Sequence, residues 1–251
     1  MNTLQITHRD GHAIVRLSRG RANPLNAELV NELRDTLKQL QQDDAVKGMI
    51  LTGSKGFFSA GLDVIELYGY DEPTMRQFWY DFNALVSEMT SFDKPLVCAI
   101  TGHSPAGGCL LSICADYRVM TEGKYRIGLN EIPVGITIPP TIFNLYAFWL
   151  GHGTAYRALA EGRLFSTTEA HAVGLVDELT PADQTESRAY EKLAQYTAFL
   201  PDVWRQSKRN MRARLLKDLH LADEVAEQSL AQWWKPESRA VLKGIVEQLK
   251  K

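Results

Sequence analysis

The sequence predicts an α/β core carrying an all-helical C-terminal region, and three observations lead there. An Asp10-Gly11 pair separates two short runs of alternating apolar residues. Strand-like and helix-like hydrophobic patterns then alternate along the chain, and past Pro181 the strand signals stop while helical periodicity continues. With 251 residues, 45% of them hydrophobic and 23% charged, the chain has the composition of a globular protein able to bury a substantial core.

Leu4 and Ile6 before the Asp-Gly pair, with Ile14, Val15 and Leu17 after it, read as a β-hairpin at the edge of a sheet. Asn26 is placed to cap a helix, since its side-chain oxygen can accept from an N–H group left open in the first turn. The apolar positions Leu29, Val30, Leu33, Leu37 and Leu40 then recur at helical spacing. Residues 48–51 read as a buried strand, 78–89 as a helix, 95–100 as a β-branched strand, 109–114 as a short apolar helix and 117–120 as a further strand. Helical stretches follow at 189–199, 203–216, 222–233 and 239–249, so the chain is expected to divide into a core at 1–195 and a helical region at 196–251. Residues 132–156 carry no formal charge and are long enough to cross a bilayer, but Pro133, Gly135, Pro139 and Pro140 interrupt them; they are expected to be core.

A net charge of -2 and a pI near 6.3 provide no field over the whole surface for nucleic acid or an anionic membrane, so neither is an expected partner. The first eleven residues lack the apolar stretch of a secretory signal, and a cytoplasmic location is expected. Cys98, Cys109 and Cys114 sit in apolar segments without Cys-x-x-Cys or Cys/His metal spacing, which reads as reduced core thiols and no metal site. No Walker loop, dinucleotide Gly-x-Gly-x-x-Gly or His-Glu-x-x-His is present, so nucleotide hydrolysis, NAD chemistry and zinc proteolysis have no support and no cofactor is expected.

Two loops carry the candidate chemistry. Gly56-Phe57-Phe58-Ser59-Ala60-Gly61-Leu62-Asp63 follows a strand and contains small residues that can expose backbone N–H groups, Ala60 among them. Residues 99–109 read as a strand, a glycine-rich turn and a helix start, whose first N–H groups have no internal partner and favour a negative oxygen. Two backbone donors from separate loops can hold a thioester oxygen as it becomes an enolate, each contributing about 3 kcal/mol to the transition state. Taken singly, each glycine also fits the plainer role of a tight turn.

Together these stretches resemble the crotonase family. Phe57-Phe58-Ser59-Ala60-Gly61-Leu62-Asp63, Ala99-Ile100-Thr101-Gly102 with Pro105-Ala106-Gly107-Gly108-Cys109, Cys114-Ala115-Asp116-Tyr117-Arg118, and Gly128-Leu129-Asn130-Glu131 look like its successive signatures in order and spacing. Gly151-His152 with Arg157-Ala158-Leu159, and the 170–177 stretch, fit as well. The resemblance implies a spiral of β-β-α units with a C-terminal helical extension, and a homotrimer or dimer of trimers whose contacts the tail supports. It implies an acyl-CoA thioester as partner, with CoA present only as part of the substrate. It assigns the oxyanion hole to the N–H groups of Ala60 and Gly107, and substrate contacts to Ala60, Gly61, Leu62, Asp63, Val64 and Leu110.

Family hydratases use two glutamates, one three residues after the second oxyanion glycine and one in the Asn-Glu-like segment. Here the first position is Leu110, which cannot accept a proton or anchor a water, and the second is Glu131. A lone carboxylate beside a polarised thioester can remove a proton α to the carbonyl and return it at the γ carbon, moving a double bond from position 3 to position 2. The Gly128-Leu129-Asn130-Glu131 stretch and the apolar residue at 110 look most like the mitochondrial type of 3,2-trans-enoyl-CoA isomerase. Ile127, Leu129, Ile132 and Val134 would raise the pKa of Glu131 toward that of a useful base, whereas an ordinary loop glutamate would be solvated. Asp63 is expected mainly to shape its loop.

Other chemistries are weaker. Gly102-His103-Ser104-Pro105-Ala106 approaches a Gly-x-Ser-x-Gly elbow, but Ala106 breaks the pattern and Pro105 has no N–H for an oxyanion hole; His103 reads as structural or pocket-lining. Arg205, Lys208, Arg209 and Arg212 share a helix face that would either meet the phosphates of CoA or stay solvated. Trp233 and Trp234 suit a subunit contact or a cap on the core. The remaining alternatives are a hydratase, another one-glutamate crotonase such as an acyl-CoA hydrolase or a carbon–carbon bond enzyme, and a non-catalytic acyl-CoA-binding scaffold. Acyl-chain preference is expected to lie with Leu62 and the 68–82 and 136–149 segments.

Overall fold

The structure is a computed structural model that describes residues 2–218 and 222–250. The chain opens with β1 (Leu4–Arg9) and β2 (His12–Leu17), antiparallel about the Asp10-Gly11 turn, in which both turn residues take positive φ. Helix α1 (Ala27–Gln42) starts where expected, with Asn26 Oδ1 accepting from Leu29 N at 3.0 Å, and buries Leu29, Val30, Leu33, Leu37 and Leu40 along one face. Each of those side chains stabilises the fold by about 1.5–3 kcal/mol, and the cap adds about 1 kcal/mol.

Three β-β-α turns follow. The first is β3 (Gly48–Thr52), β4 (Gly56–Phe57) and helices α2 (Val64–Leu67) and α3 (Glu72–Ser91). The second is β5 (Leu96–Ile100), β6 (Gly102–Pro105) and α4 (Gly107–Ile113). The third is β7 (Tyr117–Thr121), β8 (Arg126–Gly128), a 3-10 turn over Ile132–Val134, and helices α5 (Pro140–Leu150) and α6 (His152–Glu161). The first strand of each turn enters a six-stranded sheet ordered β1-β2-β3-β5-β7-β10, closed by β10 (Glu178–Thr180). The second enters a four-stranded sheet ordered β4-β6-β8-β9, closed by β9 (Phe165–Ser166), which leads into α7 (Thr167–Ala172). Every pairing after β1-β2 is parallel except β8-β9. β3 and β5 are buried throughout, which explains why they read as continuous apolar runs rather than alternating ones.

The short strands β4, β6 and β8 had no strand signal; two to four residues containing Gly, His, Ser, Pro and Arg show no alternation, and only pairing in space, such as Phe57 with His103 and Ser104 with Ile127, defines them. The uncharged 132–156 stretch is divided among the 3-10 turn, α5 and the start of α6. No described helix is long and apolar enough to cross a membrane.

Helix α8 (Thr185–Thr197), which spans the expected boundary at 195, lies on the large sheet: Ala189 and Leu193 pack with Ile50, Val97, Ala99 and Val119. The expected helix over 203–216 is two, α9 (Pro201–Met211) and α10 (Ala213–Asp218), broken at Arg212, whose side chain is drawn into the core. Helices α11 (Ala222–Trp233) and α12 (Pro236–Leu249) fold back over the spiral, α11 along α3 and α12 against α2 and the 3-10 turn.

Candidate active site

One cleft collects the chemistry. Leu62, Gly107, Leu110 and Glu131 line it together with Trp79, Phe82, Asn83, Ile136, Ile142 and Ser229. Leu110 is buried, at the position where a second carboxylate was sought, and Glu131 is the one titratable side chain among the described lining residues.

The two loops meet as the sequence suggests, but with a different donor. Ala60 N donates to Ala22 O at 2.8 Å, so this N–H is already satisfied and cannot serve an oxyanion. Gly61 N donates to Ser59 Oγ and Asp63 N to Leu25 O. The N–H of Leu62, between them, has no acceptor among the described residues. The correction is therefore from Ala60 to Leu62, two positions on, and its cause is the parallel bridge of Leu25 with Leu62, which fixes which N–H groups turn inward. Gly107 N, at the start of α4, is also without an acceptor among the described residues.

These two donors are neighbours. A Cβ built on Gly107 would stand 3.5 Å from Leu62 N, and one built on Gly61 would stand 3.0 Å from Gly107 N. Gly61 takes φ +83, so glycine is required there both for its backbone conformation and for the close approach of the loops. Ala106, immediately before the helix, sits at φ 47, a conformation costing an L-residue about 1–2 kcal/mol. Its N–H is held by Gly128 O at 2.8 Å and its carbonyl by Leu110 N at 3.0 Å, and the strained turn between β6 and α4 aims the helix start at the cleft. Two adjacent N–H groups without acceptors in an apolar cleft can hold an oxygen that gains negative charge.

Glu131 occupies the residue before the 3-10 turn, where its carbonyl accepts from Val134 N and Ile136 N at 3.1 and 3.0 Å. The residue is 8% exposed, and Oε2 has no hydrogen-bond partner among the described residues. Burial pushes its pKa up from 4.5 to about 7, outweighing a backbone hydrogen bond that lowers it. A carboxylate in this state is a base matched to neutral pH.

The remaining expected residues fall around the cleft. Asp63 caps α2 by accepting from Glu66 N and pairs with Arg19 at 2.6 Å, while Glu66 takes the other guanidinium nitrogen at 2.5 Å; these contacts hold the loop in shape. Val64 begins α2 and packs on the core. His103 accepts from Arg126 N and packs against Tyr125, and Ser104 is fully buried; neither lines the cleft. Asn83 and Ser229 carried no signal in the sequence, being single polar residues on otherwise ordinary helices that only the packing of α11 on α3 brings to the site.

The basic face of α9 serves neither proposed purpose at its inner positions. Lys208 and Arg212 are each 4% exposed and converge on Asp116 at 2.7 and 3.0 Å, while Arg209 pairs with Asp93 and Arg205 with Asp202. Their charges fasten the C-terminal helices to the core. Trp233 is buried and meets Trp79 edge-on at 6.1 Å, a cap on the core. Cys98, Cys109 and Cys114 are free and buried, and burial pushes all three thiols up, away from reactive thiolate.

A family model described as enoyl-CoA hydratase/isomerase matches residues 7–250. The chain is 41% identical over 210 residues to enoyl-CoA delta isomerase 1, mitochondrial, of Mus musculus, covering 83% of this chain and 72% of that protein. The Homo sapiens protein of the same name is 37% identical over 203 residues, covering 80% and 67%. The crystal structure of human mitochondrial delta3-delta2-enoyl-CoA isomerase superposes with a TM-score of 0.95 at 31% identity, covering 99% of this chain and 98% of that one. A β-β-α spiral and a family match spanning nearly the whole chain lead to one conclusion: this protein belongs to the enoyl-CoA hydratase/isomerase family and has the crotonase fold.

Proposed function

We propose that the protein is an enoyl-CoA isomerase that moves the double bond of an acyl-CoA from position 3 to position 2. The observation that carries this reading is Glu131, the one carboxylate among the described lining residues of an apolar cleft that also holds the N–H groups of Leu62 and Gly107, neither of which has an acceptor among the described residues. Glu131 takes a proton from C2; the C–H pair forms the C1–C2 double bond, and the carbonyl pair moves onto the thioester oxygen, held by the two N–H groups. When that oxygen returns its pair, C2–C3 becomes double, and the former C3–C4 π pair takes the proton from Glu131 at C4. One base is enough, and the isomerase names of the mammalian relatives support the assignment.

Hydration would need a second group to hold and activate water, and Leu110 lines the cleft where the family's hydratases place it. The direct test is incubation of 3-enoyl-CoA esters in deuterated water with wild type and Glu131→Gln. Conjugated 2-enoyl product that disappears in the variant supports the assignment. Hydration of 2-enoyl esters at a comparable rate overturns it, as does binding without turnover.

Family membership also motivates a proposal of trimers or dimers of trimers built with the C-terminal helices. Tyr156, Leu200 and Met211, exposed at 68%, 71% and 68%, provide apolar surface for a second copy, and sedimentation decides the state.

A further inference from the structure

We propose that α11, from the C-terminal region, is the end wall of the acyl cleft, and that Ser229 sets the length of acyl chain the cleft accepts. This rests on the assignment of the cleft to acyl-CoA. Of the lining residues Thr137 is exposed, whereas Glu131, Trp79, Phe82 and Ser229 are all buried. The open edge is thus on the Thr137 side, and the closed end lies between α3 and α11.

Ser229 is 8% exposed, and its hydroxyl makes no hydrogen bond to any described residue. A small, untied side chain that lines the cleft together with Trp79 and Phe82 leaves the room that a chain terminus needs. The wall behind it is fixed. Trp233, one turn on, packs edge-on against Trp79, and Glu227 ties α11 to α3 through Arg76 and, at 2.9 Å, the Tyr80 hydroxyl. A chain that reaches Ser229 therefore meets a helix anchored on both sides of the contact, and further methylenes must remain outside or force the wall aside.

The test is a binding ladder of even-numbered saturated acyl-CoA esters from butanoyl to hexadecanoyl, read by tryptophan fluorescence, since Trp79 and Trp233 stand at the wall. Wild-type affinity should rise about tenfold for each two-carbon step until the chain meets α11, and then level off. Ser229→Phe should bring the plateau at least one step earlier, weakening binding of every longer ester by about tenfold and leaving the shortest unchanged. Ser229→Val, which adds less volume, should shift the plateau the same way by less; it keeps the test valid if the phenylalanine variant does not fold. An unchanged ladder in a folded variant overturns the proposal, and so does a wild-type ladder without a plateau. If the ladder behaves as expected while no 3-enoyl ester is turned over, the end wall stands and the isomerase assignment falls.

Discussion

The raised pKa of Glu131 ties activity to stability, and substitution with glutamine separates the two. The carboxyl binds its proton more tightly in the folded state, about 7, than at its ordinary value of 4.5, because it is buried with no partner for Oε2 among the described residues. Between those values the folded state holds more protons than the unfolded state. Stability therefore falls as pH rises through this window, and the penalty is complete above about 7. From the two pKa values, the burden on the folded state is about 2–3 kcal/mol larger at pH 8 than at pH 5. Glu131→Gln carries no such burden. The amide has its own cost of burial, but that cost is the same at both pH values, so the difference between them isolates the carboxylate. Denaturant unfolding of both proteins at the two pH values should show the variant gaining about 2–3 kcal/mol relative to wild type on going from pH 5 to pH 8. Isomerase activity should move in the opposite sense, rising in wild type with ionisation of a group near 7 and absent from the variant throughout. Equal pH dependence of stability in the two proteins, or a wild-type rate already flat down to pH 5, would refute a desolvated carboxylate as the base.

Three further outcomes follow from the geometry. Gly61→Ala places a Cβ 3.0 Å from Gly107 N at a φ of +83; it should cost about 1–2 kcal/mol in unfolding free energy and roughly tenfold or more in kcat/KM, and a variant of unchanged rate would show that the approach of the two loops is not needed. Leu110→Glu restores the second carboxylate of the family's hydratases. It should lower stability by roughly 2–5 kcal/mol, since Leu110 is buried, and bring measurable hydration of 2-enoyl-CoA by mass; a folded variant without hydration would mean that Leu110 is not what excludes it. Lys208→Met deprives Asp116 of one of its two buried cations and should destabilise by about 3 kcal/mol while leaving KM for acyl-CoA within twofold; a large rise in KM with unchanged stability would return this lysine to phosphate binding.

The sequence by itself determined the opening hairpin, the first long helix and the buried strands β3, β5 and β7, because these depend on local patterns, while the β-β-α repeat followed from the resemblance of its motifs. A buried parallel strand is a continuous apolar run, a capped helix begins at Asn26, and a glycine-rich turn marks a helix start wherever it occurs. The tertiary structure decided everything that depends on which groups are already satisfied. The motif points to Ala60 as the donor, and only the carbonyl of Ala22, brought in from another loop, occupies the N–H of Ala60, while that of Leu62 has no acceptor among the described residues. The α9 cations look available for a ligand until Asp116 and Asp93 meet them, and Ser229 is an ordinary helical serine until α11 lies against α3. Hydrogen bonds and desolvation are settled between residues far apart in sequence, and so a motif can name the loop that holds an oxyanion while the fold alone chooses the N–H.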